Sequence, residues 1–214
     1  MRDLEAVIFD LDGTLLDTLD DITNSVNYTM KQLKLHTVSK KDVRSYLGNG
    51  AQKLWQHILK AHPTRINEAL DIYIPYLENH AMDSTRPYDG IVELLKNLKK
   101  SYKLGVVSNK HQNAVEKIIK HYFNDMFDCV IGEQKNVPKK PDPAPLNNAI
   151  KALGTHKENV IFIGDSEVDI KTAKHANVTV IGVTWGFRDI EKLVLETPNY
   201  LINNVSKIQK IIGE

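Results

Sequence analysis

Short apolar runs alternate with longer amphipathic segments along most of the chain. Runs rich in β-branched residues, each with the length of a buried strand, cover 6–9, 104–107, 129–131, 160–163, 178–183 and, more weakly, 200–202. Between these runs, apolar residues recur at helical spacing in 90–100, 114–122 and 145–153. This alternation predicts an α/β fold with a mostly parallel, Rossmann-like sheet that carries helices on its faces.

The alternation is interrupted between residues 15 and 81. This stretch contains no strand candidate, and its apolar residues follow helical patterns in 22–33, 43–46, 51–61 and 66–77. Because a crossover between two parallel strands needs far fewer residues, we expect a helical domain inserted after the first strand. The predicted division is therefore an α/β core of 1–14 and 82–214 and a small helical domain of 15–81.

Acidic residues follow the first predicted strand directly. Asp10 and Asp12 stand two positions apart, so both carboxylates can point the same way, and Gly13 supplies a turn out of the strand. Ligands of open α/β sheets bind at the carboxyl ends of the strands, which favours a functional role. An ordinary surface turn is the alternative, since Asp and Gly are common turn residues.

The run at 160–163 ends in the same way, with Gly164 and then Asp165 and Asp169. Taken alone, these acids fit the first turn of a helix that begins near Ser166, and Glu167 fits its solvated face. Together with the first pair they predict a cluster of carboxylates, whose ionised forms repel one another unless a cation lies between them. A hard divalent ion with oxygen ligands, Mg²⁺ above all, is the natural partner.

Two further segments suggest a site for phosphate. The run at 104–107 is followed by Ser108 and Asn109, and Lys140 lies in a proline-rich loop before a helix. Each is weak alone, because Ser-Asn is a common helix start and most lysines are solvated. Hydrogen-bond donors and a cation beside metal-binding carboxylates would, however, form a socket for a phosphoryl group.

Composition narrows the partners. Lys and Arg number 28 against 27 Asp and Glu, a net charge of +1, which argues against nucleic acid or an anionic membrane and for a small molecule. The single cysteine, Cys129, is expected in the core. Charged residues directly after Met1 and the absence of a long apolar run suggest neither a signal nor a membrane span, hence a cytoplasmic location. Nothing in the sequence indicates an oligomeric state.

The four motifs, in this order, resemble the haloacid dehalogenase superfamily of phosphatases over essentially the whole chain. They are Asp-x-Asp-Gly-Thr, a strand ending in Ser, Lys before Pro-Asp-Pro, and Gly-Asp-Ser-x-x-x-Asp. The helical insertion is similar to the small cap domain of that superfamily. The resemblance implies a core strand order of 5-4-1-2-3, which would bring Asp10, Ser108 and Asp165 together.

The superfamily mechanism then implies a role for each matching residue. Asp10 would attack phosphorus and form an aspartyl phosphate, and Asp12 would act as general acid and base. Mg²⁺ would be held by Asp10, the backbone carbonyl of Asp12 and Asp165, with Asp169 as a ligand or as a partner of one. The resemblance also implies that the phosphoryl group is bound by Ser108, Asn109 and Lys140. It further implies that Thr14 orients the first loop.

The substrate is expected to be a small phosphorylated metabolite, because a cap that closes over the core leaves little room. The segment around Gly48, Asn49 and Gly50 resembles the cap of phosphoglycolate phosphatases, with Arg44 and Lys53 as candidate partners of a substrate carboxylate. The resemblance therefore makes phosphoglycolate the expected substrate. The same residues could be an ordinary turn between helices.

Alternative functions within the superfamily are a pyrophosphatase, a nucleotidase, and a sugar-phosphate phosphatase or β-phosphoglucomutase. A receiver-like signalling domain also groups aspartates, a hydroxyl and a lysine around Mg²⁺, without catalytic turnover. Asp12 and the helical insertion argue against it, because a receiver needs neither a leaving-group acid nor a lid.

Overall fold

The computed structural model describes residues 3–213, which form two sheets and ten α-helices. The strands are β1 (Ala6–Phe9), β2 (Leu16–Asp17), β3 (Arg86–Pro87), β4 (Lys103–His111), β5 (Cys129–Glu133), β6 (Val160–Gly164), β7 (Thr179–Val183) and β8 (Tyr200–Ile202). Six of them make a sheet in the order β5-β4-β1-β6-β7-β8, and every neighbouring pair is parallel. The predicted α/β fold and strand order are confirmed, with β8 added at one edge.

The helices cover both the predicted insertion and the faces of the sheet. They are α1 (Leu19–Gln32), α2 (Lys40–Tyr46), α3 (Gly50–Ile58), α4 (Ile66–His80), α5 (Ile91–Leu98), α6 (Gln112–Phe123), α7 (Ala144–Ala152), α8 (Glu167–Ala176), α9 (Ile190–Leu195) and α10 (Ser206–Gly213). One apolar cluster lies on the β1 face that carries Val7 and Phe9, and a second on the face that carries Ala6 and Ile8. The alternation along β1 thus buries both of its faces, as a central parallel strand requires.

Two details of the sheet differ from the sequence-based expectation. Residues 15–81 do contain a strand, because β2 lies within them and pairs antiparallel with β3. Two residues are too few to leave a periodic pattern. The strand β4 runs on past Val107 to His111, and its register against β5 shifts between these two residues, a segment that includes Ser108 and Asn109.

The pair β2–β3 stands where the chain enters and leaves the helical segment α1–α4. These four helices pack on one another around fully buried Trp55, which contacts the ring of Tyr73 edge-on. Their apolar residues continue into the cluster on the β1 face, so this segment lies closed over the sheet. The boundaries of 15–81 as a separate cap domain stay a prediction.

Within the described residues, no helix combines the length and the apolar character that a membrane span needs. Cys129 begins the edge strand β5, is half-buried, and packs against the second apolar cluster. Burial, followed by the nearby Asp128 carboxylate, raises the pKa of the Cys129 thiol.

Candidate active site

The strand β1 delivers Asp10 and Asp12 to the carboxyl edge of the sheet. Phe9 lies between Val106 of β4 and Ile163 of β6, so the residues that follow these three strands must meet. The Asp10 amide donates to the Ile163 carbonyl at 2.8 Å and holds the aspartate against β6. Gly13 then turns the chain with a φ of +88°, and a Cβ there would overlap the Asp165 carboxylate. The D-x-D-G segment is thus built into the site and is not a surface turn.

Lys140 connects two acids, one directly after β1 and the other in α8, the helix that follows β6. Its ammonium contacts Asp10 Oδ1 at 2.6 Å and Asp169 Oδ1 at 2.7 Å, and it donates to the Val107 carbonyl at 2.9 Å. The lysine is only 3% exposed, so all three of these acceptors face an ammonium that has left water. Charge-assisted bonds of this kind fix both carboxylates in place.

The turn after β6 uses its two acids differently. Asp169 and Ser166 form a reciprocal capping box at the start of α8, in which Ser166 Oγ donates to Asp169 Oδ2 at 2.6 Å. Asp165 accepts the Phe187 amide at 2.7 Å and the Thr14 hydroxyl at 3.4 Å. Both acids therefore have each carboxylate oxygen engaged by a protein group, Asp169 by Lys140 and Ser166, and Asp165 by Thr14 of the first loop and Phe187.

Burial sets the electrostatics of these acids. Burial and then the neighbouring Asp169 carboxylate raise the pKa of Asp10 well above its ordinary value, although Lys140 opposes the shift. The same two causes raise the pKa of Asp165 to about 7. Burial alone would lower the pKa of Lys140, but the carboxylates of Asp10 and Asp169 raise it, so the ammonium stays charged.

The acids fit a hard divalent cation. Carboxylate oxygens of Asp10, Asp165 and Asp169 all lie within 4.8 Å of one another. The buried Lys140 ammonium contacts two of these three carboxylates, those of Asp10 and Asp169. Burial, followed by the repulsion of the Asp169 carboxylate, raises the pKa of both Asp10 and Asp165. Oxygen ligands with excess negative charge are the donor set that Mg²⁺ prefers.

The residues predicted to bind phosphate differ in their positions and contacts around the cavity. Ser108 lines the cavity above Asp10 and Asp12. The Asn109 side chain instead donates to the carbonyls of Lys140 at 2.9 Å and Gly48 at 3.0 Å, so it ties the lysine loop and the helical segment to β4. Its carbonyl oxygen is buried and has no hydrogen-bond partner among residues 3–213.

Lys110, which the motif comparison passed over, pairs with Asp12. Its ammonium lies 2.9 and 3.2 Å from the two Asp12 carboxylate oxygens, and its side chain is 7% exposed. The residue follows Ser108 and Asn109 directly, so its position in the second motif was the available signal. Its pairing with Asp12 depends on the packing of β4 beside β1, which brings the ends of the two strands together.

Arg188 joins the sheet to the helical segment. It is 5% exposed, and its guanidinium donates to Glu167 at 2.6 Å, to the Arg44 carbonyl at 3.4 Å and to the Leu47 carbonyl. These carbonyls lie at the C-terminal end of α2, where a cation is favourable. Glu167, expected on a solvated face, instead orients this arginine.

A cavity lies between the sheet and helices α3 and α4, with about 80 Å³ of internal space. Of the predicted specificity residues, Gly48 and Gly50 line it, whereas Asn49, at the N-terminus of α3, does not. Arg44 and Lys53 lie outside the lining. Arg44 pairs with Asp189 at 3.3 Å on the surface, and Lys53 is exposed.

Arg188→Met should loosen the closed arrangement. The change leaves Glu167 and two carbonyls without their donor, and we expect a loss of about 1–3 kcal/mol in the free energy of unfolding. The backbone amides of residues 40–50 should also exchange their hydrogens faster with solvent. Arg44→Met breaks only an exposed ion pair and should lower the free energy of unfolding by at most about 1 kcal/mol. Urea titrations measure this quantity for both variants. Equal losses for the two variants would contradict the role given to Arg188.

Comparisons with known proteins identify the family of this chain. The family model described as haloacid dehalogenase-like hydrolase matches residues 7–183. A phosphoglycolate phosphatase from Colwellia psychrerythraea is 30% identical over 218 residues, covering 97% of this chain and 96% of the relative. Pyrophosphatase PpaX from Listeria monocytogenes serotype 4a is also 30% identical, over 214 residues, covering 99% and 97%.

A crystal structure from Lactobacillus delbrueckii subsp. bulgaricus superposes with a TM-score of 0.93 at 31% identity, covering 98% of each chain. The match therefore extends to the helical segment as well as to the sheet. The chain belongs to the haloacid dehalogenase-like hydrolase family and is a phosphatase of that family, a hydrolase acting on phosphate monoesters.

Proposed function

We propose that this enzyme is an Mg²⁺-dependent phosphomonoesterase that works through a phosphorylated Asp10. The observation that carries the proposal is the Lys140 contact, which holds Asp10 by one oxygen only. The other oxygen, Oδ2, accepts no hydrogen bond from residues 3–213, and Asp10 lines the cavity. A fixed carboxylate with one unengaged oxygen facing a cavity suits in-line attack on phosphorus.

Asp12 is proposed as the proton donor and acceptor. It lines the same cavity as the proposed nucleophile and stands two residues after it in the sequence. It would protonate the leaving oxygen and then take a proton from the water that attacks the aspartyl phosphate. The Lys110 ammonium, which contacts both Asp12 oxygens, keeps this carboxylate turned toward the cavity.

The phosphoryl group would be bound by Ser108 and Lys140, with Asn109 holding the loop that carries the lysine. Asp10, Asp165 and the backbone carbonyl of Asp12 would hold Mg²⁺, and Asp169 would support them through Lys140. The ion, when bound, supplies positive charge to the phosphoryl oxygens and favours the ionised form of its ligands. Thr14 orients the first loop through its hydrogen bond to Asp165.

The substrate is proposed to be a small phosphate monoester, because the cavity is limited to about 80 Å³ and is covered by the helical segment. The names of the relatives point to two compounds, phosphoglycolate, which is a phosphate monoester, and pyrophosphate, which is a phosphoanhydride. The cap segment favours phosphoglycolate, but Arg44 and Lys53, its candidate carboxylate partners, lie outside the cavity lining. The proposed substrate is therefore a class of compounds, small phosphate monoesters, and not one of these two compounds.

Removal of the metal tests the proposal. Phosphate release from p-nitrophenyl phosphate should fall to background in EDTA and return on addition of excess Mg²⁺, with many turnovers per chain. Mg²⁺ should also raise the melting temperature, because it binds the folded cluster and not the unfolded chain. Asp165→Asn should abolish that shift. Undiminished turnover in EDTA, or one phosphorylation per chain without release, would refute the proposal.

A further inference from the structure

The part of the cavity wall that the helical segment contributes is mostly apolar. Opposite the acids of the sheet, its wall is formed by side chains of the helical segment and the turn before α3. The apolar members of this wall are Ile22, Leu47, Leu54, Ile74 and Leu77. A charged group placed against such a wall would lose its hydration without gaining a partner.

Glu78 is the acidic side chain that the helical segment contributes to the cavity. It lies on α4, is partly buried, and makes no ion pair or hydrogen bond within residues 3–213. Apart from the Tyr73 phenol, the other ionisable groups of the lining lie on the sheet side. Of these, Lys110 is already paired with Asp12, and His111 stands at the start of α6.

The wall also offers an uncharged polar contact. Tyr73, 3% exposed, lines the cavity, and its hydroxyl has no hydrogen-bond partner within the described residues. Burial, and then the Asp12 carboxylate, raise the pKa of this phenol, so it remains a neutral donor. A hydroxyl or amide oxygen of a substrate can accept this hydrogen bond without bringing a charge into the cavity.

We propose that the enzyme selects phosphate monoesters whose leaving alcohol is short, aliphatic and free of negative charge, and that Glu78 discriminates against acids such as phosphoglycolate. The inference rests on the proposed function, because it concerns the leaving group of that same reaction. Like charges in a poorly solvated cavity repel strongly, so a carboxylate on the leaving alcohol meets Glu78 without compensation.

The test compares phosphoglycolate with phosphoglycolamide, its uncharged carboxamide isostere. The two esters have nearly the same shape, so the ratio of their kcat/KM values reports the charge. We expect the wild-type enzyme to favour the amide by about tenfold or more, equivalent to ~1.4 kcal/mol. Glu78→Gln should raise kcat/KM for phosphoglycolate about tenfold and leave that for the amide nearly unchanged.

The matched control is Asp71→Asn, which removes an acid from the exposed face of the same helix. It should leave the ratio as in the wild-type enzyme. A wild-type preference for phosphoglycolate, or a ratio that Glu78→Gln does not change, would overturn the inference. Failure of the proposed function would differ, since none of these esters, nor p-nitrophenyl phosphate, would then be turned over.

Discussion

Asp10→Asn should lower the rate of phosphate release at least about a thousandfold, because the amide cannot form the acyl phosphate. The fold should survive. Burial already disfavours a charged Asp10, and Lys140 keeps Asp169 as its partner after the change. Steady-state release from p-nitrophenyl phosphate measures the rate, and circular dichroism with urea unfolding measures the fold.

Labelling makes this prediction specific to the nucleophile. Acid-quenched wild-type enzyme should retain phosphate in an acid-stable, alkali-labile form typical of an acyl phosphate, and Asp10→Asn should retain none. Asp17→Asn, at the half-buried end of β2, offers an aspartate change outside the cavity lining and should keep both label and turnover. Label that persists in a folded Asp10→Asn protein would place the nucleophile elsewhere.

Lys140→Met should affect both catalysis and folding. The change leaves Asp10 and Asp169 buried without their common cation, and removal of one partner from a buried ion pair costs about 3–5 kcal/mol. Turnover should fall by a factor on the order of a thousand, because the nucleophile loses its fixed orientation and the phosphoryl group loses a cation. Urea titrations and phosphate release measure the two effects.

The stability loss should shrink when Mg²⁺ is added, since the ion supplies positive charge to the same acids. Lys135→Met is the matched control, because Lys135 is exposed in the loop that precedes Lys140. It should change the free energy of unfolding by no more than about 0.5 kcal/mol. If the two lysine variants unfold at the same urea concentration, the buried ammonium has no such role.

Much of the fold was predictable because its signals are local. Buried parallel strands produce continuous apolar runs, and β1 and β8 were located with their observed bounds. The helices α9 and α10 are short and were not predicted, and β2 has only two residues. Elements of this length owe their conformation to what they pack against rather than to their own periodicity.

The candidate site divides in the same way. Asp10, Asp165, Asp169 and Lys140 follow motifs that each occupy one short segment, and the structure brings all four together. The pairing of Arg188 with Glu167 and with the end of α2 joins segments far apart in sequence. Arg188 and Glu167 are charged residues of the kind that usually lies on a solvated surface, so no local pattern indicated their buried contact.

The sequence by itself determined the fold class, the family and the order of the four motifs, because these depend on patterns within segments of about ten residues. Only the tertiary structure decided which groups line the cavity. In the structure, Arg44 and Lys53 lie outside the cavity lining, whereas Tyr73 and Glu78 belong to it. The physical reason is that the lining depends on how α3 and α4 dock onto the sheet, a long-range packing choice that no single segment encodes.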